Sequence, residues 1–341
     1  MGNHNANKAV KFWLLLCCAM VAAMIVLGAI TRLTQSGLSI TRWDVIAGIL
    51  PPLTDQDWQA AFSLYQATPQ YRFENQGMSL EAFRQIYFWE WLHRLWGRMT
   101  GLVFALPLGL FWLKGVLSPG AAVRLLAIFA LGALQGLAGW LMVQSGLSER
   151  TSVMPWRLAL HLDLALLLYG LLLWNALSVE AGSPRPCSHG VRRQGQATLL
   201  LLLLTITLGA LVAGSFGGSI YNSWPLMDGD WLPSTAFTLD PWWANLVENP
   251  VLLQFLHRWA GPLTLLAVLG WVWRCRREEP SWAGGLLPLA LWILVQVGLG
   301  LATLLSGASP LIAALHQAGA VMLLTLMLNA LFHRRAGGTV R

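Results

Sequence analysis

Eight stretches of predominantly apolar residues, each about 20 long and so able to cross a hydrocarbon layer of roughly 30 Å, govern what this chain can fold into. They lie near residues 12–31, 92–113, 122–143, 157–178, 197–216, 251–273, 283–305 and 311–332. Within lipid an unpaired backbone amide has no water to bond. Such runs therefore cross as helices, each closing its hydrogen bonds within itself. The sequence predicts an all-α integral membrane protein of eight transmembrane helices. Its residues are only 11% charged, with a mean hydropathy of +0.57, against about 25% charged in a soluble domain.

Basic residues set the orientation, because they collect on the cytoplasmic side. Placing both termini and the second, fourth and sixth connections together gathers thirteen of the 22 Lys and Arg residues. Lys8, Lys11, Arg192, Arg193, Arg274, Arg276, Arg277, Arg334, Arg335 and Arg341 are among them, against only Glu180, Glu278 and Glu279. Both termini are expected in the cytoplasm. The formal charge of +7 then reports topology, and no nucleic acid partner is needed beside membrane lipid. The opening MGNHNANKAVKF has two lysines and lacks the long Arg- and Ser-rich stretch of a transit peptide, which favours a bacterial plasma (inner) membrane. Cys17 and Cys18 fall in the first span, Cys187 and Cys275 on the cytoplasmic side. They form neither a disulfide framework nor a C-x-x-C-H haem attachment.

The chain is written twice. FWEWLHRLWGR is echoed by LLQFLHRWAGP, pairing His93-Arg94 with His257-Arg258. Upstream, LGAITRLTQSGLSITRWDVIAGILPP resembles LGALVAGSFGGSIYNSWPLMDGDWLP. Downstream, Gln135 pairs with Gln296, Ser145-Gly146 with Ser306-Gly307, and His161 with His316. Four spans return the chain to its starting side, so the halves read as parallel repeats about an axis along the membrane normal, each a four-helix bundle. The expected layout is a first bundle over 1–180, a cytoplasmic linker over 181–196 and a second bundle over 197–341. The first outer connection, about 32–88, is the longest, and its Trp43, Trp58, Tyr65 and Tyr71 suit short interfacial helices. Glycines cluster in the third, fifth and seventh spans, at Gly132, Gly136, Gly139, Gly209, Gly214, Gly298 and Gly300. Close helix packing explains such residues, and room for a flat ligand is a second use.

His4, His189 and His333 lie in termini or the linker and read as solvated. His93, His161, His257 and His316 each sit about one turn inside the outer end of an even-numbered span, hence at one depth. One intramembrane histidine bonded to a neighbouring helix would be unexceptional. Two per repeat, with matched flanks, suit pairs of imidazoles gripping haem iron from both faces inside a helix bundle, giving two haem pockets. Arg94 and Arg258, at the outer boundary, suit haem propionates through bidentate pairing; snorkelling to lipid headgroups is the plainer alternative.

The halves differ in one telling place. Glu90 precedes His93 by three residues, on the same helix face, while Gln254 holds the matching position before His257. A carboxylate there can take a proton or stabilise developing positive charge, whereas an amide cannot titrate. A plain ion pair with an arginine is the other reading of Glu90. Asp163, two residues past His161 and matched by Ala318, is turned off the histidine's face and reads as a helix-contact or proton-path residue. The residues alone thus describe a reactive first half and an electron-holding second half.

GAITRLTQSGLSITRWDVIAGILPP, IYFWEWLHRLWGR, QGLAGWLMVQSGL, YNSWPLMDG, QFLHRWAGP and ALHQAGA, taken in order over nearly the whole chain, resemble the haem A synthase family. The resemblance implies an oxidoreductase that converts the C8 methyl of haem O to a formyl group, giving haem A for cytochrome oxidase assembly. It implies a haem b cofactor held by His257 and His316 in the second half, with Arg258 beside it. Haem O would be received at His93 and His161, with Arg94 beside it and Glu90 as the catalytic glutamate. Some members carry a cysteine pair in the first outer loop, and this chain has none there. Expected partners are haem O, a haem O synthase, oxidase assembly factors and an electron partner, and a homo-oligomer is compatible with the pattern. A di-haem cytochrome exchanging electrons with quinone has a similar scaffold but no use for a one-sided acid. A haem-handling chaperone has no use for a second, permanent haem.

Overall fold

The structure, a computed structural model, describes residues 2–43, 47–147, 150–179, 185–278 and 283–336. Its helices are α1 Gly2–Leu33, α2 Asp55–Gln66, α3 Pro69–Phe73, α4 Leu80–Leu113, α5 Pro119–Leu147, α6 Pro155–Val179, α7 His189–Gly214, α8 Pro250–Glu278, α9 Ala283–Leu305 and α10 Pro310–His333. Eight of these, all but α2 and α3, are long and apolar enough to cross a membrane, one for each apolar run. The chain is a multi-pass, all-α membrane protein. Glu180, Glu279 and Arg341, used in the charge reading, and linker residues 181–184 lie outside the described residues.

Helix starts follow local chemistry. Pro69, Pro119, Pro155, Pro250 and Pro310 each open a helix, where a missing N–H costs nothing and φ is already helical. Ser79 caps α4 by accepting from the Ala82 amide at 3.2 Å, so α4 begins well above the apolar run that predicts it. At 34 residues it is about 50 Å long, and its first turns project beyond a bilayer core. Ser188 likewise caps α7 through the Val191 amide at 3.2 Å, starting that helix inside the stretch read as linker. The Ser188 hydroxyl also donates to Glu278 Oε1 at 2.7 Å, tying the start of α7 to the end of α8.

The chain divides into two compact units, Ala19–Leu168 and Met1–Cys18 with Tyr169–Arg341. In the first, α4 lies along α1: Trp96 Nε1 donates to the Met20 carbonyl at 2.9 Å. The long outer connection forms α2 and α3, as its aromatic residues predict. Phe62, Tyr65 and Phe83 are buried together there, with Trp58, Tyr71 and Tyr87 packed around them. This aromatic cap fastens α2 to the projecting start of α4, and its burial holds the connection that reaches the site.

In the second unit α7, α8, α9 and α10 pack together. Trp271 is fully buried and donates to the Val191 carbonyl at 2.9 Å, while Trp292 donates to the Gly319 carbonyl at 2.9 Å. A short parallel strand pair, β1 Arg185–Cys187 and β2 Arg334–Ala336, joins the start of α7 to the end of α10. The connection before α8 is held by Asn249, whose Oδ1 accepts from the Val251 and Leu252 amides at 2.9 and 3.2 Å. Gln35 and Phe216, which the internal repeat pairs, both take left-handed backbone angles, φ 54° and 57°, so the chain leaves α1 and α7 by the same sharp turn.

Candidate functional site

In the second unit α8 carries His257 and α10 carries His316, and the packing of α7 to α10 brings the two rings together edge to face. Their centres lie 6.3 Å apart with planes at 77°. Each ring is fixed from the preceding helix. The Thr205 carbonyl on α7 lies 3.0 Å from His257 Nδ1, so Nδ1–H donates to it and Nε2 keeps its lone pair. On α9, the Gln296 amide donates to the His316 carbonyl at 2.9 Å and lies 3.2 Å from Nδ1. Gly209 and Gly300, each four residues past these partners, come so close that a methyl on either would lie 2.9 Å from a histidine Cε1.

The first unit repeats the plan. His93 on α4 and His161 on α6 lie within electrostatic reach of each other. A methyl on Gly139 of α5 would meet His161 Cε1 at 2.8 Å, and one on Gly28 of α1 would meet His93 Cε1 at 3.1 Å. The Gln135 amide donates to the His161 carbonyl at 2.9 Å, as Gln296 does for His316. One difference is plain: the buried Nδ1 atoms of His93 and His161 have no hydrogen-bond partner among the described residues. Asp163 is half-buried on α6.

Glu90 is 3% exposed and is gripped by the loop that follows α1. Its Oε2 accepts from the Ser39 hydroxyl and the Ile40 amide, both at 2.8 Å. Its Oε1 accepts from Arg94 Nη2 at 2.6 Å and Nε at 3.2 Å. Arg94 also donates to the Ile40 and Arg42 carbonyls at 2.9 and 3.1 Å and lies over the Trp43 ring, 5.5 Å from its centre. Such a stack adds to the attraction without using an N–H. The second unit has the same clasp without the charge pair. Arg258 donates to the carbonyls of Leu226, Tyr221 and Pro225 at 2.9, 3.1 and 3.3 Å and lies over Trp224. Gln254 donates to the Tyr221 carbonyl at 2.9 Å, so the amide gives a hydrogen bond where the carboxylate receives them.

Two nitrogens, each about 2 Å from one metal ion, put imidazole centres roughly 6 Å apart. The separation of His257 and His316 therefore fits an axial pair. Two imidazoles supply only axial ligands, which suits a metal whose remaining donors come in a macrocycle.

A family described as Cytochrome oxidase assembly protein, COX15-CtaA, matches residues 11–328. The chain belongs to that family. Relatives include Heme A synthase of Rhodospirillum centenum, 48% identical over 98% of this chain and 91% of the relative. Heme A synthase of Maricaulis maris is 42% identical over 98% and 99%, and that of Parvibaculum lavamentivorans is 42% identical over 94% and 92%. Within this member of the family, sequence reading singles out the four histidines, both arginines and Glu90. It passes over Ser39, Ile40, Thr205 and Gly28, and it gives Gln135 and Gln296 no role. The internal repeat was the available signal for Gly28, which aligns with Gly209, and for the two glutamines. Ile40 and Thr205 act through backbone atoms that every residue has, and nothing in their side chains advertises them.

Proposed function

We propose that the chain is a haem A synthase of the bacterial inner membrane, an oxidoreductase that converts the C8 methyl of haem O to a formyl group and so supplies haem A for cytochrome oxidase assembly. The single observation that supports this best is the opposed pair His257 and His316, with ring centres 6.3 Å apart, in a chain whose relatives are named Heme A synthase. In this reading the bundles are parallel repeats with both termini cytoplasmic. The first, about 1–180, receives haem O at His93 and His161, and the second, about 197–341, holds haem b at His257 and His316, with 181–196 between them. Bound haem b supplies one-electron redox chemistry.

The protein's own part is to place and orient. Thr205 fixes the His257 tautomer so that Nε2 is ready to ligate, as outer partners of metal-binding histidines do. Arg258 keeps Nε buried without a partner among the described residues, a donor available to a propionate. Arg94 divides its N–H groups between Glu90 and two loop carbonyls, leaving one Nη1 N–H for the same purpose. Glu90, one helical turn before His93 and held from three sides, presents a fixed negative charge to the substrate bundle, where it stabilises positive charge developing as the methyl group is oxidised.

The test is extraction and mass analysis of haems from membranes expressing the chain with a supply of haem O. Hydroxylated and formyl products are expected. Recovery of haem b alone would point to a di-haem electron carrier, and unchanged haem O to a chaperone; either overturns the proposal. Glu90→Gln should keep both haem sites and stop product formation, and normal haem A output from it would remove Glu90 from the chemistry. His257→Ala should lose haem b.

A further inference from the structure

We propose that Gly139, Gly209 and Gly300 are positioning residues, each taking the Cε1 edge of an axial imidazole and thereby setting the direction in which its nitrogens face. The inference rests on the haem-binding reading above and deepens it. A methyl on Gly209 would lie 2.9 Å from His257 Cε1 and 3.4 Å from each ring nitrogen. On Gly300 the corresponding distances to His316 are 2.9 and 3.6 Å, and on Gly139 those to His161 are 2.8, 3.4 and 3.5 Å. Cε1 sits between the two nitrogens of an imidazole. Near-equal distances to both therefore place the methyl in the plane that bisects the ring, against Cε1 and between the two nitrogens, which face opposite sides. For His257 one side meets the Thr205 carbonyl at 3.0 Å, which leaves Nε2 facing the other way.

Carbon atoms do not approach within 3.0 Å, so alanine at any of these three positions requires the ring to retreat or rotate. The backbone beneath each glycine is helical and cannot give way cheaply. Gly28 is a looser seat. Its methyl would lie 3.1 Å from His93 Cε1 and 3.7 Å from Nδ1, so a shift of a few tenths of an ångström suffices. His93 also lacks an Nδ1 partner among the described residues, making it one of the less constrained imidazoles. Glycines with no such duty stand close by. Methyl groups on Gly298 of α9, Gly136 of α5 and Gly261 of α8 would meet nothing within 4 Å.

The experiment uses the full chain purified in detergent with the haem b acquired during expression. Gly209→Ala and Gly300→Ala are compared with Gly261→Ala and Gly298→Ala for haem b loss to an apomyoglobin scavenger and for the low-spin band in reduced-minus-oxidised spectra. The seat variants should lose haem b about 10- to 100-fold faster, the scale on which orienting partners of metal-bound histidines act, while the neighbours track the parent. Alanine forms helix better than glycine, so a loss confined to the seats is not helix breaking. Gly139→Ala against Gly136→Ala, titrated with haem O, makes the test independent of the second unit. The haem b retained in the same sample reports that the protein is folded, and Gly139→Ala should bind haem O about 10- to 100-fold more weakly. Gly28→Ala should fall between parent and Gly139→Ala. Seat variants indistinguishable from their neighbours would overturn the inference and leave the proposed function standing, whereas a parent that holds no haem b would sink the proposed function itself.

Discussion

Arg94→Met removes the guanidinium that joins α4 to the first outer loop while keeping most of the side chain's length. Arg94 makes two donations to Glu90 Oε1, at 2.6 and 3.2 Å, and one each to the Ile40 and Arg42 carbonyls. After the substitution Glu90, 3% exposed, keeps only Ser39 and Ile40 as donors. Breaking one side of a buried ion pair costs about 3–5 kcal/mol. The Arg94 side chain is 14% exposed, so water offsets part of the loss and the lower end applies. The two carbonyl bonds add about 0.5–1.5 kcal/mol each. A total near 4 kcal/mol raises the population with the loop detached about a thousandfold. Hydrogen exchange at the Ser39 and Ile40 amides in detergent reads this directly, and equilibrium denaturation reads its global part. The double variant Glu90→Met, Arg94→Met removes both charges and should recover part of the global loss, since no buried charge is left unpaired, while the Ser39 hydroxyl and Ile40 amide still lose their acceptor. If Arg94→Met exchanges like the parent, the clasp does not hold the loop.

The capping box of α2 should respond to acid. The Thr54 hydroxyl and then the Thr54 amide hold the Asp57 carboxyl below the ordinary carboxylate range, so this contribution is present above that range and is lost as pH falls through the lowered value. NMR titration of Asp57 checks it, and Thr54→Ala, which removes the hydroxyl but keeps the amide, should move the titration part of the way back to the ordinary range. Cys187, half-buried at the end of β1, has its thiol pushed up, first by burial. Because the thiolate is the nucleophile, a membrane-impermeant maleimide should label it slowly at neutral pH, faster as pH rises, and only from the cytoplasmic face. Labelling from outside would reverse the proposed orientation. Asn249→Ala removes the cap of α8, the helix that carries His257, and should cost about 1–2 kcal/mol, seen as faster exchange at the Val251 and Leu252 amides with the rest of α8 unchanged.

What the amino-acid sequence determined by itself was whatever depends on periodicity, depth and charge. A bilayer has one thickness, so apolar length alone counts the eight spans, and position along those spans singles out His93, His161, His257 and His316 from the other histidines. The repeat exposes the one-sided acid, because Glu90 and Gln254 occupy matching places in otherwise similar motifs. Helix limits were less legible: α4 starts at Leu80 because Ser79 caps it and Phe83 is buried in the aromatic cap, neither of which hydropathy senses. Only the tertiary structure decided that Glu90 is clasped by Ser39, the Ile40 amide and Arg94, since both a free carboxylate and a paired one satisfy the same spacing. It alone also separated Gly300, pressed against His316, from Gly298, which faces open space two residues away. A glycine has no side chain to show which way it faces, and a backbone carbonyl such as that of Thr205 is common to every residue. Their roles arise only when another helix is brought within about 4 Å, the range over which packing and hydrogen bonds act.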